Sequence, residues 1–146
     1  MQRFEFKFEK VLEWRAARLE KEEAHLLRLR KEREELLLVR STIEEGAAEA
    51  AQVIPPDPGR LAGTDLAMLA EYERSVKIRL KKLAAKVKEA DARIQEQTRV
   101  VMEADRQKQL LEDLRKSEFE EWTYEFNREI ESTAGEMFLA RWKRPA

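Results

Sequence analysis

The chain has 146 residues, 40% of them charged, yet its 29 basic and 30 acidic side chains leave a net charge of only −1. Mixed-sign charge of this kind argues against bulk attraction to nucleic acid or anionic lipid. With 0 Cys, disulfides and thiolate metal sites are excluded, and 4 Gly with 4 Pro are too few for a turn-rich all-β fold.

A reducing, cytoplasmic setting fits the lack of Cys. No run of about 18 apolar residues occurs, so no transmembrane segment is expected. The opening, Met1-Gln2-Arg3-Phe4-Glu5-Phe6, has no apolar signal core.

In residues 1–8, Phe4, Phe6 and Phe8 alternate with charged residues. Period two predicts an extended segment. A first helix is expected over about 8–51, because Leu12, Leu19 and Leu26 are seven apart, as are Leu29, Leu36, Ile43 and Ala50. Arg15, Glu22, Arg33 and Arg40 occupy the complementary seam positions. Polar residues there lower stability but can fix register, and arginine stems can lie along the seam.

A break is expected over about 53–64, where Pro55, Pro56 and Pro58 cannot sit inside a helix and Gly59 and Gly63 favour a turn. Thr64 or Asp65 can cap the helix that follows. That second helix is expected over about 65–142.

Its clearest stretch runs through Val76, Leu80, Leu83, Val87, Ala90, Ile94, Gln97, Val101 and Ala104, with steps alternating between four and three. No strand could use this spacing. The fold class is therefore all-α, a long antiparallel two-helix coiled-coil hairpin whose second helix is longer and overhangs the first. It forms one coiled-coil domain over 1–146.

If Ala51 faces Asp65, facing residue numbers add to 116, so that Leu36 meets Leu80 and Leu29 meets Val87. A slip of seven residues would keep the heptads equally well aligned. The basic run from Arg74 to Lys88 is expected to lie near Glu32, Glu34, Glu35 and Glu44, which explains it without nucleic acid.

Beyond the end of the first helix the second leaves roughly 30 residues, on the order of 50 Å, with no internal partner. This overhang carries Phe119, Trp122, Phe126, Ile130, Met137, Phe138 and Trp142. Such a face usually binds something. Thr133 and Glu136 have capping-box spacing, so a bend or restart is expected there.

No catalytic constellation is visible and the chain does not read as an enzyme. His25 is the single histidine. Glu22-x-x-His25 has the spacing of a di-iron half-site, but that site needs a second copy and further carboxylates. No glycine-rich loop precedes a Lys-Ser/Thr pair to cradle phosphates. No metal or cofactor is expected.

The stretch Phe4-x-Phe6-x-Phe8-Glu9-x-Val11-Leu12-x-x-Arg15 resembles the opening of the flagellar export protein FliJ family. Leu111-x-x-Leu114-Arg115, then Trp122-x-x-Glu125 and Glu129, then Glu136-Met137 and Arg141-Trp142, is similar to that family's closing block. Gly135 stands where the family commonly has aspartate.

The resemblance implies a stalk-like coiled coil that inserts into the hexameric export ATPase ring of a type III export apparatus. It also implies contacts with the cytoplasmic part of the membrane export gate and with export chaperones. The expected location is cytoplasmic, peripherally associated with the inner membrane at the flagellar base, with a role in motility. The partner-binding residues it implies are Phe4, Phe6, Phe8, Arg15, Trp122, Phe126, Glu136, Arg141 and Trp142. The alternative is a structural coiled coil that self-associates through the overhang without an ATPase partner.

Overall fold

In a computed structural model the described residues are 3–53 and 62–143. Two helices account for nearly all of them: α1, Glu9–Gln52, and α2, Gly63–Trp142. They pair antiparallel as a hairpin and the second is the longer, 80 residues against 44. Pro55, Pro56, Pro58 and Gly59, on which the turn was placed, lie outside the described residues.

The helix boundaries differ slightly from expectation. The Phe8 carbonyl accepts the Leu12 amide at 2.9 Å, so Phe8 flanks α1 as its cap residue. At the start of α2 the Leu66 amide donates to the Ala62 carbonyl at 3.1 Å. Thr64 and Asp65 therefore sit inside the first turn rather than at the cap. There the Asp65 carboxylate still favours the helix dipole. The capping-box spacing at Thr133 and Glu136 produces no restart, because α2 continues unbroken to Trp142. Once a helix is nucleated, each further residue adds one hydrogen bond, and mid-helix propagation prevails over a local capping signal.

Two compact units divide the chain, one of residues 1–21 with 102–146 and one of residues 22–101. In the second unit the seam is aliphatic: Leu26, Leu29, Val76 and Leu83 are buried, with Gln97 beside them. Gln97 Nε2 donates to the Glu22 carbonyl at 3.0 Å and to its carboxylate at 2.6 Å. A buried amide is tolerable in a coiled-coil seam only when satisfied in this way. Arg33 reaches across to Asp91.

In the first unit Phe6, Leu19 and Ala104 are buried. Glu9 accepts from Arg115 at 2.9 Å, and Arg15 donates to Gln107.

These partners correct the register. The numbers of Arg15 and Gln107 add to 122, and those of Arg33 with Asp91 and of Glu9 with Arg115 add to 124. Both units thus lie about one heptad from the pairing that adds to 116. The shifted register sets Leu29 opposite Ile94 and Leu36 opposite Val87, and brings the buried pairs Leu26 with Gln97 and Leu19 with Ala104 together. In this register residues 74–88 lie opposite about 35–49, so Glu35 and Glu44 still face the basic run, but among the described residues no ion pair joins the run to Glu32, Glu34, Glu35 or Glu44. Among the described residues Glu44 pairs with Arg40 on its own helix, at 3.9 Å, and Lys81, Lys82, Lys86 and Lys88 are exposed.

Candidate functional site

The segment that carries the alternating phenylalanines runs on along α2 beyond the start of α1. Phe4 meets Phe119 edge-on, with centroids 5.2 Å apart and planes at 77°. It also lies 5.9 Å from Trp122. Phe119 stacks on Trp122 at 5.9 Å, and Trp122 on Phe126 at 5.1 Å. Spacings of three and four residues place these rings on one face of α2. Offset and edge-on geometries are those that aromatic quadrupoles favour.

Arg115 closes the cluster: its guanidinium sits 5.7 Å from the Phe4 ring while it also holds Glu9. Phe6 is only 7% exposed and meets Phe8 edge-on at 5.9 Å.

This arrangement redraws the overhang. Phe119 and Trp122, expected to be bare, are partly covered by the segment that carries Phe4. Beyond Phe126 the described residues 127–143 are all exposed. On this stretch Ile130, Met137, Phe138, Leu139 and Trp142 are between 51% and 79% exposed, far above a core value. A shallow recess of about 360 Å³ runs along it from Phe126 to Met137, past Ile130, Thr133 and Ala134. Phe138 and Trp142 stack loosely at 6.5 Å further on.

The residues named from sequence thus separate into three groups. Phe4, Trp122 and Phe126 come together in one cluster. Phe6 is buried in the core, while Phe8 stays 37% exposed. Arg15 is engaged by Gln107. Glu136, Arg141 and Trp142 are exposed on the uncovered stretch.

Sequence reasoning missed Phe119 and Arg115 as members of the cluster. The signal was present in the spacings 115, 119, 122 and 126. It also missed Trp14, which is 56% exposed and has the Arg15 and Arg18 guanidiniums 5.1 and 5.6 Å from its ring.

Glu103 is held below the usual carboxylate value of 4.5, first by its hydrogen bond from Arg106. Its position is open to water. Among the described residues no group of three His, Asp or Glu side chains is placed to hold a metal ion. None of the described helices is long and apolar enough to cross a membrane.

Comparison with known proteins finds no matching family, no matching curated protein and no matching solved structure.

Proposed function

We propose that this protein is a non-enzymatic component of a flagellar type III export apparatus. In this reading it acts as a stalk-like coiled coil that binds the hexameric export ATPase and couples it to the export gate and export chaperones. It works in the cytoplasm at the inner face of the membrane. The observation that supports the reading best is the uncovered apolar stretch of α2 beyond Phe126, adjoining a packed aromatic cluster. Exposed aromatic anchors next to Arg and Glu residues have the composition of protein-binding hot spots. The resemblance of the terminal stretches to the FliJ family supports the choice of partner.

The test is reconstitution with the export ATPase of the same organism, following ring assembly and ATP turnover. Removal of 127–146 leaves Phe119, Trp122 and Phe126 in place, so unit folding is retained. Stimulation by the full chain that disappears with this truncation supports the reading. Absence of binding by the folded full chain overturns it.

A second reading rests on Ile130, Thr133 and Met137, whose steps of three and four are those of a coiled-coil seam. Under it the stretch pairs with a second copy. A dimer mass that reverts to monomer on the same truncation would favour it.

A further inference from the structure

We propose that the outward face of the first turns of α1 docks on an anionic lipid bilayer. This inference goes beyond the stalk reading and does not depend on it. Helical geometry at 100° per residue groups Lys10, Val11, Trp14, Arg18 and Lys21 on one side of α1, opposite the seam residues Leu12 and Leu19. Lys7 precedes them in the turn before α1 and lines one recess with Lys10. All six are exposed, and Trp14 and Val11 present 56% and 42% of their surface to solvent.

None of the four basic side chains at 7, 10, 18 and 21 is in an ion pair. Of the nearby acids, Glu9 is held by Arg115. Glu13 and Glu20 point more than about 90° round the helix from the middle of the face. Glu5 borders it beside Lys7 and Lys10.

A large, mostly exposed indole with two guanidiniums beside its ring suits the boundary between lipid headgroups and acyl chains. There indole prefers to lie, and Lys and Arg stems extend toward phosphates. Arg18 over the Trp14 ring keeps a guanidinium at the depth of the headgroups. The near-neutral net charge of the chain does not oppose this, because surface attraction decays within a Debye length and only the local charges count.

A contrasting surface lies on α2. Lys81, Lys82, Lys86 and Lys88 are equally exposed but have no exposed aromatic ring among them. That run is charge without an anchor. A nucleic acid would use such charge without needing Val11, whereas a bilayer uses both.

The experiment is co-sedimentation of the full chain with phosphatidylcholine vesicles, with and without phosphatidylglycerol, alongside tryptophan emission. Binding only to the anionic vesicles, with a blue shift abolished by Trp14→Phe, is the expected result. The triple variant Lys10→Glu, Arg18→Glu, Lys21→Glu should bind at least about a hundredfold more weakly, from roughly fivefold per charge near the surface. The control triple Lys81→Glu, Lys86→Glu, Lys88→Glu should change binding by less than about threefold, because those charges lie off the docking face.

Helicity is checked by circular dichroism, and the neutral triple Lys10→Gln, Arg18→Gln, Lys21→Gln serves if the charge reversals disturb the fold. No binding to anionic vesicles overturns the proposal, as does equal loss in both triples. A Trp14 shift caused by duplex DNA without vesicle binding would assign the face to nucleic acid instead. The assay contains no ATPase, so failure of the stalk reading leaves its result unaffected.

Discussion

The two units solve the same problem with different materials. In the unit of residues 22–101, helix packs on helix and the seam is Leu26, Leu29, Val76 and Leu83, with one satisfied amide. In the other, α2 runs on past the start of α1, and the chain covers it with an extended segment that lays Phe4 against Phe119 and Trp122. A helix needs a partner for its apolar stripe, but that partner need not be a helix. The aliphatic seam buries side chains layer by layer, whereas the aromatic cluster gathers its rings at one place and leaves them half-buried, with Phe119 45% exposed.

The sharpest test of this contrast is Phe6→Ala. It should cost about 3 kcal/mol. Amide exchange should show the loss in residues 102–122 while 76–97 keep their protection. Equal loss in both segments would mean that the units do not open separately.

Leu29→Ala should reverse the pattern, at about 2 kcal/mol. Gln97→Leu should change the melting temperature by less than about 1 kcal/mol equivalent in either direction, since buried polar groups trade stability for specificity. Its signature is loss of a single register. Cysteines at 29 and 94 should cross-link in the parent background and give way partly to 29 with 87 in the variant. Undiminished cross-linking of the first pair would show that apolar packing alone selects the register.

Asp91→Asn removes the partner of Arg33, and both side chains are well exposed, so the effect should stay below about 0.5 kcal/mol and fade with salt. The smallest effect belongs to Glu103. Its folded-state value is depressed by Arg106, so its contribution is present above the ordinary value of 4.5 and is lost as the pH falls below it. Glu103→Gln should flatten the acid limb of the stability profile slightly and leave the neutral region unchanged, as thermal melting across pH would show.

Heptad spacing made the two helices and their antiparallel pairing legible in sequence, because a 3.5-residue period leaves little else to form. The register was not legible. Registers seven residues apart satisfy the same apolar pattern, and they differ in the polar partners they bring together, such as Gln97 with Glu22 and Arg33 with Asp91. Capping signals misled at both ends of α2: Thr64 and Asp65 fell one turn too far inside, and Thr133 with Glu136 fell mid-helix. Such motifs mark helix starts only when nothing upstream already propagates.

Phe4, Trp122 and Phe126 were singled out individually. Their assembly with Phe119 and Arg115 depended on residues 3–6 running on along α2 beyond the start of α1, which spacing alone does not reveal. Trp14 escaped notice because a single aromatic residue on a charged helix face carries no periodicity.

Residues 127–142 extend from the cluster at Phe126 as an exposed stretch with Gly135 in their midst, where an added Cβ would meet nothing beyond the neighbouring helix backbone. The first turn of a helix is the expensive one, and here it is already formed upstream. The stretch therefore has the statistics of a zipper fixed at one end. Warming should shorten it turn by turn from the far end, without a cooperative transition. A ligand engaging it near Ile130 could close the remaining turns in sequence without meeting a nucleation barrier, and the heat capacity of association would report how many turns were closed.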